Sequence, residues 1–465
     1  MTTLVWFRED LRVLDHPALH ASARQGRVVA VFLVATSQWK SHDLGPHHAG
    51  FLGSNLRALA SELGALGIPL EVVSAPRFRD APGALRALAR VHQADSVAAN
   101  EEYPLNERVR DSRVANALRE DGLSFHLYPG ATILGPGQVM TGTGEPYTVF
   151  TPFRRRWTAH LDRNAVQPTP APDPQGPPVN NDIDPSLLTG LSVTSISRQW
   201  PAGAGHAAER LRAFADQAIQ RYDHDRDIPA LTGTSRLSPY LALGVLSPRQ
   251  CLHAALQANA GRLSGGNPGV ETWISELVWR DFYRHVIAHF PHVSRGEAFR
   301  PDADRVAWRN DPADFAAWQQ GMTGYPLVDA AMRQLASTGW MHNRLRMLTA
   351  MFLTKHLLID WRLGERHFMS HLVDADFAAN NGGWQWSAST GTDAAPYFRI
   401  FNPITQAERF DPEGDFVRAQ VTELAHTTGA ATRSPWLHGV PGYPMPIVDH
   451  GFARTRALEA FKRAR

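Results

Sequence analysis

The chain has 465 residues, enough for about three domains. Hydrophobic residues make up 43% and charged residues 20%, so enough apolar surface is present to offset the entropy of ordering, and a disordered chain is excluded. With 47 basic and 45 acidic residues the formal charge is only +2, which excludes a protein that coats nucleic acid by bulk charge; any such contact must be a local patch.

The N-terminal segment predicts alternating strands and helices. Short apolar runs at Leu4–Phe7 and Val28–Val34 read as buried strands, and Pro69–Val73, Ser96–Ala99 and Phe125–Tyr128 read as further ones. Between them, Phe51–Leu66, Pro82–Val91 and Glu107–Leu118 carry apolar residues at helical spacing. This alternation predicts a Rossmann-like parallel sheet over residues 1–130. The turn after the first strand is Arg8-Glu9-Asp10, so the dinucleotide glycine fingerprint is absent. Residues 131–204 form a connecting region with a linker rich in Pro, Asn, Asp and Gly from about Asn164 to Gly190. Residues 205–465 then read as a large all-α domain, with helices over Ala207–Gln220, Pro248–Ala258, Val270–His289, Pro326–Ala336, Asn343–Ile359 and Glu365–His371, and a short last one over Thr455–Arg463. No apolar run approaches the roughly 18 residues of a membrane helix. The N-terminus carries no leader pattern, and Cys251 is the only cysteine. These features predict a cytoplasmic protein with no disulfide and no metal centre.

Five segments of the helical part carry chemistry. Thr234-Ser235-Arg236-Leu237-Ser238 offers hydroxyls and a cation suited to phosphates, although it also reads as an ordinary helix start. Trp273, Glu276, Arg280 and Tyr283 fall near one face of a helix, with Trp279 three residues beyond Glu276; a carboxylate beside an indole suits a flat heterocycle. Asn343 and Met347 are four apart on the next candidate, with Arg344 pointing elsewhere. Asp374-Ala375-Asp376 and Asn380-Asn381-Gly382-Gly383-Trp384-Gln385-Trp386 form the fourth, where glycines permit close backbone approach. The fifth, Asp393–Pro403, adds Arg399 beside aromatics. Eight of the 13 tryptophans lie between Trp273 and Trp386, and Trp308, Trp361 and Trp384 are candidates for an electron route, since indoles oxidise readily.

With these motifs in this order, the chain resembles the photolyase/cryptochrome family, and within it the class I bacterial photolyases of cyclobutane pyrimidine dimers. The resemblance begins at Leu4–Arg12 and runs through Gly233–Ser238, Glu276–His285, Thr323–Leu335, Gly339–Met347 and Asn380–Trp386 to Pro444–His450. It implies a light-driven lyase that binds FAD in a folded form. Tyr222 and Thr234–Ser238 would hold its phosphates and ribose, and Trp273 and Asp374–Asp376 would complete the site. Arg346 would pair with Asp374, and Asn380 would face flavin N5. The substrate would be DNA with a pyrimidine dimer flipped out of the duplex. Trp279 and Trp386 would wall the lesion, with Arg280 and Tyr283 on the same surface. Glu276 and Asn343 would bind the pyrimidine edges, Met347 would pack on the dimer, and Arg226, Arg344 and Arg399 would meet flanking phosphates. Electrons would reach oxidised flavin through Trp308, Trp361 and Trp384. The resemblance also implies a site for a second, antenna chromophore, methenyltetrahydrofolate or a deazaflavin, with His42, Asn106, Glu107 and Arg295 as its contacts; the last position commonly carries Lys in folate-type members, so a flavin or an empty site stand beside them as alternatives. A monomer is expected. The alternative within the same resemblance is a blue-light photoreceptor without repair activity, but this chain lacks the long C-terminal extension usual there.

Overall fold

The computed structural model describes residues 1–161, 166–191 and 198–464. Two compact units emerge. The first comprises Met1–Gln220, Ser235–Ser294 and Val373–Asp376; the second comprises Arg221–Thr234, Arg295–Leu372 and Phe377–Arg465. These units do not follow the boundaries at residues 130 and 204 read from the sequence.

The first unit is built on a five-stranded sheet of β1 (Thr2–Phe7), β2 (Arg27–Val34), β3 (Leu70–Ser74), β4 (Ser96–Asn100) and β5 (Ser124–Tyr128). All pairings are parallel and the order is β3-β2-β1-β4-β5. β1, β2 and β4 are the continuous apolar runs of the sequence, and a central parallel strand must be apolar on both faces because helices cover both. Leu4, Val5, Phe7, Val29 and Val97 are accordingly fully buried. The chain leaves β1 with β2 on one side and β4 on the other. This is the point where a doubly wound sheet opens a crevice beyond its strand ends.

The described part of the connecting region is held by specific contacts; Asn164, where the linker was expected to begin, lies outside the described residues. The region contains a helix, Phe150–His160, that sequence patterning missed. Asp281, fully buried on the Pro268–His289 helix, accepts hydrogen bonds from the Ile133 and Leu134 N–H groups and from Trp157 Nε1 at 3.0–3.2 Å. The Pro-rich linker is docked as well. Prolines bring no N–H, so side-chain amides supplement the backbone bonds of Gln175 N to Leu66 O and Val179 N to Gly64 O: Gln175 Oε1 accepts from Val28 N and Asn181 Oδ1 from Leu70 N. Buried Asp15 pairs with Arg249 at 3.1 Å and accepts from Thr169 N.

The second unit is helical. The helix expected over Asn343–Ile359 stops at Met351 and continues as a π-helical turn, Phe352–His356. That turn buries Lys355, whose Nζ donates to Ser389 Oγ and lies 3.9 Å from the Phe461 ring centre. It also places His356 Nε2 2.8 Å from His450 Nδ1, on the last helix, His450–Arg463. Asn380–Trp386, to which no helix was assigned from the sequence, lies in a helix, Phe377–Ala388. No described helix is long and apolar enough to cross a membrane.

Candidate functional site

In the first unit the Pro268–His289 helix carries the aromatic face. Trp273 is buried against Phe214, ring centres 5.1 Å apart. One and two turns on, Trp279 stacks face to face on Phe150, with centres 3.6 Å apart and planes within 8°. Tyr283 leans on Trp279 at 5.5 Å and on Phe282 at 5.9 Å. Phe150 comes from the connecting region, where no motif pointed to it. Glu276 lies one turn before Trp279 and Arg280, half-buried. The Arg280 guanidinium is engaged with backbone, donating to Ala131 O at 2.5 Å and Leu241 O at 3.0 Å. Burial, with Arg284 adding to it, pulls its pKa down to about 10, so it stays charged near neutrality and ties the helix to both segments. One turn further, Arg284 pairs with Asp376 at 2.6 Å. Asp374 and Ala375 are buried beside it in sequence. Ser235, Arg236, Leu237 and Ser238 lead into a short helix, Ser238–Ala242, with Arg236 at a left-handed φ of 49°.

The second unit supplies the other residues. Tyr222 is buried with the Arg226 guanidinium 5.3 Å from its ring, and Arg226 is 3.9 Å from Asp227. Gly233, just before Thr234, abuts Asp225 so closely that a Cβ would lie 2.7 Å from its backbone oxygen. His342 caps the Asn343–Met351 helix by accepting from Arg344 N, which leaves Asn343 exposed and Met347 half-buried one turn later. Arg344 pairs with Asp227 at 2.7 Å and lies over Phe410, while Arg346 donates to Met341 O. Asn380 donates to Glu365 O at 3.1 Å; Asn381 donates to Glu365 Oε1 at 2.8 Å and accepts from Gln385. Trp386 is half-buried and Arg399 exposed. Of the three candidate relay tryptophans, Trp384 (2% exposed) and Trp361 (0%) are buried, and Trp308 is half-buried against Phe461. Trp361 Nε1 is buried with no hydrogen-bond partner, and the Arg362 guanidinium lies 4.8 Å from its ring. Trp318, which the sequence did not single out, meets Trp384 edge-on at 6.1 Å.

A cleft of about 690 Å³ opens at the sheet crevice of the first unit, lined by Trp6, Glu9, Trp39, Phe78, Arg110 and Leu243 among others. Here the structure brings His42, Asn106 and Glu107 together. The amides of Gln38 and Asn106 both reach His42 Nε2 at 3.0 Å, which puts the ring proton on Nδ1, 3.7 Å from Glu107. Burial lowers the His42 pKa, so the ring is neutral. Burial, with Glu102 nearby, pushes the Glu107 carboxyl up to about 7, and its Oε2 has no hydrogen-bond partner. Arg295, the fourth expected contact, closes a short 3-10 turn, Val293–Arg295, and belongs to the second unit, whereas the residues lining the cleft all belong to the first.

A parallel-sheet unit whose helix bears a one-sided indole stack, joined in one chain to a tryptophan-rich helical unit, defines a flavoprotein of the photolyase type. The family models agree: residues 3–175 match DNA photolyase and residues 273–463 match the FAD binding domain of DNA photolyase. The chain belongs to the photolyase/cryptochrome family. It is 46% identical over 481 residues to the deoxyribodipyrimidine photo-lyase of Salmonella typhimurium, covering 100% of this chain and 99% of that relative. Among solved structures it is similar to a class III photolyase from Agrobacterium tumefaciens (TM-score 0.88, 38% identity, covering 100% of this chain and 97% of that one). It is also similar to an archaeal photolyase from Sulfolobus tokodaii with two FAD molecules (TM-score 0.83, 32% identity, 100% of each chain covered).

Proposed function

We propose that this protein is a light-driven DNA repair lyase that splits cyclobutane pyrimidine dimers. The observation that carries this reading is the end-to-end identity to a deoxyribodipyrimidine photo-lyase. The donor set fits FAD: hydroxyls and an arginine at 234–238 suit a diphosphate, and the Asp374 and Asp376 carboxylates suit ring N–H and ribose hydroxyl groups. FAD, when bound in its reduced anionic form, supplies the light-excited electron that is lent to the dimer and returned, with no net redox change.

The chain's own residues place the substrate. Trp279, backed on one side by Phe150, offers its remaining surface to a flipped-out dimer, and Trp386 offers a second wall. Glu276 and Asn343 bind the pyrimidine edges, and Met347 adapts its thioether to the dimer. Arg226 and Arg399 meet flanking phosphates, joined by Arg344 once it trades Asp227 for the anion. Asn380, whose amide donates to Glu365 O, would face the flavin when it is bound. Trp308, Trp361 and Trp384 would serve as a route by which electrons reach the flavin once it is bound, and the half-exposure of Trp308 against the burial of the other two supports Trp308 as the outer end. The neutral His42 and the Glu107 carboxyl bind the edge of a flat antenna chromophore in the cleft. Acting on DNA with near-balanced charge, the protein works as a monomer in the cytoplasm.

Three experiments test the reading. Reduced protein under blue light should restore thymine absorbance to a dimer-containing oligonucleotide, and protein in darkness should not. Glu276→Ala should lower repair at least tenfold with FAD content unchanged; loss of FAD in that variant would move Glu276 out of the lesion pocket. Trp384→Phe should abolish photoreduction of oxidised flavin and spare repair by pre-reduced enzyme. Equal loss of both would show that the two electron routes are not separate.

A further inference from the structure

His48 is the third residue of the Pro46–Ala65 helix and is only 2% exposed. Its Nδ1 lies 3.2 Å from Val373 O. A carbonyl oxygen only accepts, so Nδ1 carries the proton and donates it. Val373 is fully buried, and its carbonyl takes no backbone N–H among the described residues. His48 therefore supplies the partner that this buried carbonyl needs. Burial holds the His48 pKa below the usual histidine value, although the bond to Val373 and the Asp374 and Asp376 carboxylates pull the other way. The ring is thus neutral near pH 7, and Nε2 holds a bare lone pair. Nε2 makes no hydrogen bond among the described residues, yet it is not sealed from solvent, and His48 lines the strand-end cleft. One imidazole faces two ways. Val373 O and Asp374 N belong to one rigid peptide plane, so the bond to Nδ1 fixes the backbone leading into buried Asp374 and Ala375.

We propose that His48 is a positioning residue that couples the cleft to the flavin segment: Nε2 accepts a hydrogen bond from a ring N–H on a flat heterocycle in the cleft, while Nδ1 holds the Val373–Asp374 peptide. This rests on the reading above that the cleft receives such a ligand and that Asp374 belongs to the flavin site. Phe32, Trp39, Leu52 and Phe78 give the cleft apolar walls for a ring of that kind. A donor at Nε2 draws electron density across the imidazole and makes Nδ1–H the stronger donor. Filling the cleft then tightens the hold on the peptide that carries Asp374. His42 is differently engaged, because the Gln38 and Asn106 amides already reach its Nε2 at 3.0 Å.

The test uses FAD-loaded protein, with riboflavin and methenyltetrahydrofolate as probes, since both carry a ring N–H. Probe binding is read by equilibrium dialysis. The flavin site is read by FAD content and by the long-wavelength FAD absorption band, which methenyltetrahydrofolate does not overlap. His48→Asn keeps an N–H at the Nδ1 position and removes the Nε2 acceptor; His48→Leu removes both. His48→Asn should weaken probe binding by about tenfold with the FAD band of the probe-free protein unchanged, and His48→Leu should shift that band as well. Methenyltetrahydrofolate should move the FAD band of the unaltered chain and leave that of His48→Asn in place; this arm stands even if His48→Leu fails to fold. Undiminished probe binding in His48→Asn overturns the proposal, as does failure of both probes to bind the unaltered chain or an unmoved FAD band in a folded His48→Leu. Asp374→Ala checks the underlying reading separately: an unaltered FAD band and FAD content there would remove Asp374 from the flavin site, and the coupling with it.

Discussion

Gly364 has no room for a methyl group. A Cβ would lie 2.1 Å from Trp384 Cη2 and 2.6 Å from Leu353 Cδ2. Trp384 has nowhere to retreat, because Phe368 meets its ring edge-on at 4.9 Å and Trp318 at 6.1 Å. Gly364→Ala should therefore destabilise the protein by about 1–3 kcal/mol, the usual cost of overpacking, and should also slow flavin photoreduction by displacing the indole. Denaturant unfolding and light-driven bleaching of oxidised flavin check the two effects. Nothing in the sequence marked Gly364, since its need is created by a side chain 20 positions away. Arg280 teaches the converse. Its spacing from Glu276 and Tyr283 was legible, but spacing fixes only a face, and the two carbonyls that capture its guanidinium come from remote segments.

At the scale of elements, periodicity served well where one face of a helix or a whole strand is buried. β1, β2 and the Pro248–Ala258 helix lie within a few residues of their expected ends. It failed where local chemistry and tertiary packing disagree. Asn380–Trp386 holds two glycines, each weakly unfavourable in a helix, yet is helical because Glu365 and Gln385 tie Asn380 and Asn381 down. The Phe150–His160 helix escaped notice because its partner, Asp281, lies over 120 residues away. Asp281→Ala would leave the Ile133, Leu134 and Trp157 donors buried and unsatisfied. At the usual penalty for each, stability should fall by at least about 3 kcal/mol, read as a lower denaturant midpoint. The loss of Trp157 anchoring should also loosen the Phe150–Trp279 stack.

For the whole molecule, buried histidines govern acid tolerance. Burial, with His450 close by, pulls His356 down to about 3, and burial with His371 does the same for His367. Both are neutral in the native state, whereas the unfolded chain takes up their protons below about 6.5. Stability is therefore fully present above that value and is lost as pH falls from about 6.5 toward 3. Glu107 acts in the opposite sense: its carboxyl, raised to about 7, contributes stability below its ordinary value that is lost as pH rises through 7. His356→Gln should flatten the fall in melting temperature between pH 6.5 and 4. A fall as steep as in the unaltered chain would place the acid-sensitive groups elsewhere.

The first unit begins at Met1 but is not closed by neighbouring sequence: Ser235–Ser294 and Val373–Asp376 belong to it. A chain emerging from the ribosome completes its sheet when β5 appears, near residue 128. The buried Asp281 that fastens the connecting region, and the Asp376 that pairs with Arg284, arrive far later. At roughly 5–20 residues per second, synthesis separates these events by about 10–50 s. During that interval the nascent sheet must persist without the helix that will secure it, and about half of the second unit is translated before the first can be finished. The first unit thus cannot be complete until its last four residues, Val373–Asp376, have been made.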